Sequence, residues 1–422
     1  MLSKLNDFLW LIATFMIFYY GIYFSIKLHF PQFNIKEMIL SLRKKGDGGI
    51  SPIQTLTMTL AAKIGVGSIS GIALAIYLGG PGTIFWMWIT SLIASSNSFV
   101  ESTLAVIFRE KDDNNLYKGG PSFYISKGLG YKRLANIYAL IIIIAFIGGF
   151  LSLQSNTIVK GLAPYFNESL LIGIILAAIT FIVILKGVKR IALVTNYLVP
   201  IMGLFYLCIC TYIIIINHTE IVPVFKIIVG RAIDIKSFGY GIISSLLIGM
   251  QRGIFSSEAG IGTGAIASGV SGTTTPSSQG FIQTFGVHLD TLLIGSLTAF
   301  AVLMSDYKSL VIDDANGIEI MEYAFLSQFG SRGSIFLLIT IILFAFASII
   351  SGYYYGESAL KFIKKNITKV EILILKLITV FVIIIGGLMP SELVIVIVDI
   401  LVALLAIINI YSIYSLRRVL LK

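Results

Sequence analysis

Apolar runs long enough to cross a bilayer recur along the whole chain. With about 20 residues needed to span a ~30 Å hydrocarbon core, the pattern predicts eleven helices, at about 7–28, 51–79, 82–108, 134–159, 168–185, 191–216, 238–269, 279–304, 333–360, 372–388 and 391–416. The first run carries Trp10, Phe15, Phe18, Tyr19, Tyr20 and Tyr23, and no small-residue cleavage site follows it, so it is read as a helix and not as a secretory signal. No segment between the runs is long enough for a soluble domain. The stretch at 305–332, with Asp306, Asp313, Asp314, Glu319 and Glu322, is expected to hold a short amphipathic helix, and the Gly- and Pro-punctuated stretch at 109–133 a short interfacial one.

Two runs are interrupted in the same way. Gly65-Val66-Gly67-Ser68 breaks the second, and Gly260-Ile261-Gly262-Thr263 breaks the seventh. The two breaks open successive groups of five helices, and interrupted helices at matching places in two halves point to a transporter binding site. An unwound turn frees main-chain N–H and C=O groups that lipid could not satisfy, so they must face a cavity. Its N–H groups suit a carboxylate and its carbonyls a cation. Taken singly, either cluster could serve close helix packing, because Gly67 and Gly71, like Gly260 and Gly264, have small-xxx-small spacing.

Composition agrees with a membrane protein: of 422 residues, 57% are hydrophobic and 12% charged, with a mean hydropathy of +0.94. The net charge of +10 would suggest a polyanion partner if it were clustered. Instead, with the N-terminus outside and the C-terminus cytoplasmic, 21 of the 31 Lys and Arg fall in inside segments, 7 outside and 3 within spans. That is a positive-inside bias, which sets topology in a cell membrane and leaves no nucleic-acid site. Cys208 and Cys210 are read as buried packing residues that form no disulfide.

Catalytic machinery is not legible. The chain has no H-E-x-x-H, no C-x-x-C and no phosphate loop, and its three histidines, His29, His218 and His288, have no neighbouring nucleophile. An enzyme is therefore not expected. The chemically unusual residues lie at membrane depth: Lys63, Arg252, Glu258 and Asp290, each a functional suspect and each equally able to serve a structural network. Lys63 lies about 13 residues into its span, roughly 18 Å deep at 1.5 Å per residue, beyond the reach of snorkelling.

The strings GGPGTIFWMW (79–88), YKGGPSFYISKGLG (117–130), KGVKRIALVTNYLVP (186–200), RGIFSSEAGIGTGAIA (252–267) and YYYGE (353–357) resemble the alanine/glycine:cation symporter family. The resemblance runs from about residue 30 to 360. It implies an all-α, LeuT-like architecture: an N-terminal helix and cytoplasmic loop (1–50), then two inverted five-helix repeats (51–217 and 238–417). It also implies import of a small neutral amino acid such as alanine or glycine with a coupling cation, Na⁺ by resemblance, and no other cofactor.

The family's GTGN break is similar to Gly65-Val66-Gly67-Ser68, its QANS to Gln154-Ser155-Asn156-Thr157, and its FSNEAG to Phe255-Ser256-Ser257-Glu258-Ala259-Gly260. These matches imply a substrate site of Gly65, Val66, Gly67, Ser68, Gln154, Asn156, Phe255, Ser256 and Ser257. The substrate carboxylate is expected at the first break and its ammonium at 255–257. Gly352 stands where the family commonly has a tryptophan before YYYGE, which would admit a bulkier substrate if that position lines the pocket. The cation is implied among Lys63, Ile64, Phe344, Ala347 and Ser348, where Ala347 replaces one of the family's paired hydroxyls and Lys63 a small hydroxyl residue. Three alternatives follow from these departures: a sodium-independent carrier in which the Lys63 ammonium replaces sodium, a proton-coupled one in which Lys63 loads and releases a proton, and a transport-dead, sensor-like relative.

Overall fold

The computed structural model describes residues 2–44, 46, 49–112, 116–166, 168–233, 240–305, 317–364 and 366–421. The expected aspartates 306, 313 and 314 lie outside these residues. The described elements are helices, apart from a two-residue hairpin pairing Glu110–Lys111 with Tyr117–Lys118.

Seven of the described helices are long and apolar enough to cross a membrane: Leu2–Lys27, Lys132–Leu162, Val188–Ile216, Pro276–Leu303, Arg332–Ile363, Lys369–Leu388 and Val394–Ser415. The pair Pro52–Lys63 and Val66–Gly79 meets the same test as a unit, bent by 45° at the glycine break. Ser169–Ile184 is a shorter apolar helix. Gly82–Ile107 is 26 residues long but less apolar, because Ser91, Ser95, Ser96, Asn97, Ser98, Glu101 and Ser102 all lie along it and are buried. Its polar positions face protein, so it sits at the centre of the bundle, packed against Leu2–Lys27, Tyr240–Ser257 and Pro276–Val287.

Local signals explain where the first broken helix begins. Ser51 and Gln54 form a capping box, each side chain bonded to the other's main-chain N–H, and Pro52 occupies the first turn. The expected short helix in 109–133 is Pro121–Gly128. The one in 305–332 is Gly317–Phe329, but it is tucked into the bundle: a Cβ on Gly317 would strike the Ser70 carbonyl, and Ile320, Met321, Ala324 and Phe325 are buried. Cys210 is buried as expected, whereas Cys208 is exposed on the outer face of Val188–Ile216, and both thiols are free.

The second broken helix consists of Tyr240–Ser257 and Thr263–Gly269. Two π-helical segments, Ile143–Phe150 and His288–Ile294, bring Phe150 and Asp290 toward the breaks. At the ends of the broken helices remote from the breaks, the chain is pinned together. Gly272 N–H donates to the Ile50 carbonyl (2.9 Å), and the Arg109 guanidinium donates to the carbonyls of Ser271 (2.5 Å) and Thr273 (2.8 Å).

Candidate functional site

The first break is a tight turn. Ile64 (φ −76°, ψ 63°) has inverse γ-turn geometry, closed by Gly65 N–H donating to the Lys63 carbonyl at 2.8 Å. Gly65 is extended, and the helix that follows starts without a side-chain cap. Glycine is required at 65 by close approach, since a Cβ there would lie 2.7 Å from Ser348 Oγ. Ser68 Oγ turns back to donate to the Lys63 carbonyl (2.5 Å).

A cavity of about 300 Å³ opens on this turn. Its floor is Lys63 and Gly65 to Ser68, its walls include Phe150, Leu153, Gln154, Asn156, Phe255 and Ser256, and charged groups Lys160, Arg252, Glu258 and Asp399 also border it. Phe150 and Phe255 stack at 6.2 Å, and Trp10 backs Phe255 at 6.3 Å. Arg252 and Asp399 carry opposite charges on the same cavity border.

The sequence-derived substrate residues divide. Gly65, Val66, Gly67, Ser68, Gln154, Asn156, Phe255 and Ser256 come together around the cavity. Gln154 points its amide at the break, with Nε2 3.5 Å from where a Cβ of Gly65 would be, and its Oε1 has no hydrogen-bond partner among the described residues. Asn156 is occupied differently: its Nδ2 donates to the Met389 carbonyl at 2.7 Å and, more weakly, to those of Gly386 and Gly387, tying two helices together. Ser256 Oγ donates to Asp290 Oδ2 (2.8 Å) and lies 3.4 Å from Ser68 Oγ. Ser257 turns away, its Oγ accepting from Ala259 N–H. Gly352 faces Leu151 and Phe146, whose nearest atoms lie 2.9 and 3.7 Å from where a Cβ of residue 352 would be, and it is not among the cavity-lining residues.

Of the sequence-derived cation residues, Lys63 borders the cavity. Ser348 Oγ donates to the carbonyls of Ala61 (3.0 Å) and Ala62 (3.4 Å). Ala347 is buried beside it without a side-chain oxygen, Ile64 is buried in the turn, and Phe344 packs edge-on against Tyr206 at 5.5 Å.

At the second break only Glu258 reaches the cavity among the described residues, and the rest of the turn is packed against other helices. Its backbone takes left-handed angles at Glu258 (φ 49°), Gly260 (88°) and Gly262 (100°). Asn409 Nδ2 donates to the Gly260 carbonyl (2.9 Å) and to Glu101 Oε2 (2.6 Å), while Tyr138 Oη donates to the Ile261 carbonyl (2.6 Å). Tyr124 Oη completes the group by donating to Asn409 Oδ1. Thr263 Oγ1 donates to Glu258 Oε2 (2.6 Å). Glu101, Asn409, Tyr138 and Tyr124 carried no local signal in the sequence, because the partner of each is far away in the chain.

The model describing the sodium:alanine symporter family matches residues 1–422. The chain belongs to that family. It is 40% identical over 369 residues to a Bacillus subtilis protein named probable sodium/glutamine symporter GlnT, covering 86% of this chain and 77% of that one. To the amino-acid carrier protein AlsT of the same organism it is 36% identical over 372 residues, 87% and 79% of the two chains. To the sodium/alanine symporter AgcS of Methanococcus maripaludis it is 31% identical over 385 residues, 86% and 83%. The motif resemblance and the family model agree, and as a member of the sodium:alanine symporter family the chain is a multi-pass membrane protein of amino-acid symporter type.

Proposed function

We propose that this protein imports a small neutral amino acid, of alanine or glycine type, by alternating access around the cavity at the first break, in symport with a cation. The observation that carries the reading is the cavity itself: main-chain groups of an uncapped half-helix, an amide with an unpartnered oxygen and two aromatic rings meet around about 300 Å³. That volume is at the small end of ligand pockets, roughly 300–1,000 Å³, which favours a small substrate. The substrate carboxylate would lie in the turn from Gly65 to Ser68 on the N–H groups of Val66 and Gly67, at the positive end of the Val66–Gly79 helix, since the N–H groups of Gly65 and Ser68 already donate to the carbonyls of Lys63 and Gly65. Its ammonium would face Phe255 and Ser256, with Gln154 holding the carboxylate from the side.

In the same reading the chain crosses the membrane eleven times. Residues 1–50 form the first helix and a cytoplasmic loop, and 51–217 and 238–417 form two inverted five-helix repeats of LeuT-like kind. The N-terminus lies outside and the C-terminus in the cytoplasm. On that topology, Lys160, which borders the cavity, belongs to the outer side, and the pinned segments at Ile50 and Ser271 to Thr273 are cytoplasmic, so the described conformation is outward-facing.

The test is counterflow in proteoliposomes: saturable exchange of labelled alanine, competed by glycine and serine more strongly than by glutamine or leucine. Exchange competed best by glutamine would replace the small-substrate reading with a larger one. Absence of exchange for every amino acid tried would refute the carrier.

A further inference from the structure

Lys63 is 3% exposed, and its ammonium has no hydrogen-bond partner among the described residues. Three carboxyls surround it electrostatically: Glu258, Glu101 and Asp290. Lys63 is also the cationic side chain acting on each of the three. The direct partners of those carboxyls are neutral: Asn409 for Glu101 (2.6 Å), Thr263 for Glu258 (2.6 Å), and Ser256 (2.8 Å) with Thr291 (3.0 Å) for Asp290. One oxygen of Glu101 and one of Asp290 remain without a partner among the described residues. A buried ammonium at membrane depth is costly unless opposite charge surrounds it, and buried carboxyls are costly unless a cation balances them. One lysine meets both requirements, and it does so on the floor of the cavity.

The carbonyls at the end of the same half-helix are the groups that an unwound segment would offer to a sodium ion. Here they accept hydrogen bonds from the chain: those of Ala61 and Ala62 from Ser348 Oγ, and that of Lys63 from Ser68 Oγ and from Gly65 N–H. Ala347 contributes no side-chain oxygen, and Phe344 is committed to Tyr206. A sodium ion brought to this seam would also lie beside the Lys63 ammonium, and like charges repel strongly where water is excluded. The residues present therefore fit a tethered cation better than a diffusible one.

We propose that the Lys63 ammonium is a cation built into the chain, supplying at the first break the positive charge that sodium brings to a sodium-coupled carrier, so that this protein binds and moves its amino acid without Na⁺. The amino-acid half of the statement rests on the reading of the cavity given above; the ion half does not.

The experiment uses the full-length purified protein in sodium chloride or an equal concentration of choline chloride. For the wild type, the melting temperature should agree between the two salts within about 1 °C, because an ion that does not bind the folded state cannot stabilise it. Alanine affinity and counterflow should agree within about twofold. Lys63→Met, which keeps the length and removes the charge, should gain stability in sodium and should bind alanine more tightly in sodium than in choline. Sodium stabilisation of the wild type, a tenfold or greater loss of alanine affinity without sodium, or an equal sodium response in wild type and Lys63→Met would each overturn the proposal. Should Lys63→Met fail to fold, the wild-type comparison decides alone. Should no amino acid be bound or exchanged, the carrier reading fails, and the melting comparison still decides the ion.

Discussion

The two glycine breaks look alike in the sequence and differ in who satisfies their backbone. At the first, a single inverse γ-turn leads into an extended Gly65 and an uncapped helix start, and the turn faces the cavity. At the second, three left-handed residues make a wider turn whose carbonyls are taken by Asn409 and Tyr138, and Ala259, Gly260 and Ile261 are buried. N–H groups without an acceptor among the described residues, as at Val66 and Gly67 beside the cavity, suit a ligand, whereas carbonyls bonded to buried side chains of other helices, as at Gly260 and Ile261, make a fixed strut. Glycine content alone could not separate these roles. The partner side chains do.

The contrast can be broken most severely at Gly262. Its left-handed backbone, with Tyr138 Oη and Pro121 Cγ both too close to admit a Cβ, makes Gly262→Val destabilising by roughly 2–5 kcal/mol, visible as a lowered melting temperature or loss of monodisperse protein. Gly67→Val should behave oppositely. The nearest atom to a Cβ there is Phe255 Cε1 at 3.4 Å, so the fold tolerates it, but the added methyls enter the cavity. Alanine affinity should fall by about thirtyfold, close to 2 kcal/mol, with little change in melting. An unaltered affinity would remove Gly67 from the substrate site.

Tyr138→Phe leaves the Ile261 carbonyl unpaired. A loss of stability of about 1–2 kcal/mol is expected, with alanine affinity preserved; a selective loss of affinity would make the second break part of the binding surface. Gln154→Leu should do the reverse, weakening alanine about fivefold, near 1 kcal/mol, while the melting temperature stays put. The smallest effect belongs to Gly352→Ala. Its Cβ meets the end of the Leu151 side chain at 2.9 Å, which can shift, so a cost below about 1 kcal/mol is expected and the order of preference among amino acids should not change.

Hydrophobic periodicity carried much of the helical pattern, since apolar runs bounded by loop residues are the strongest signal a membrane chain offers. The broken helix at 52–79 was legible from Gly65 and Gly67, and the family motifs brought Gln154, Phe255 and Ser256 to the same cavity. Other features were not legible for identifiable reasons. Glu101 lies in a run rich in Ser and Asn whose polarity becomes intelligible only when the helix is placed at the centre of the bundle. Asn409 reaches a carbonyl 149 positions away, and nothing near it in the chain announces that contact. Asn156 reads as a ligand from its motif, yet its amide is bonded to the end of Lys369–Leu388. Volume arguments at Gly352 needed to know which side chains it faces.

Hydrogen–deuterium exchange of the full-length protein with and without saturating alanine separates the two breaks in one measurement. Substrate should slow exchange in the segment containing Gly65 to Ser68 and leave the segment containing Glu258 to Gly262, already protected by Asn409 and Tyr138, unchanged. Protection confined to Glu258 to Gly262, with none at Gly65 to Ser68, would contradict the assignment of the first break as the ligand-facing one.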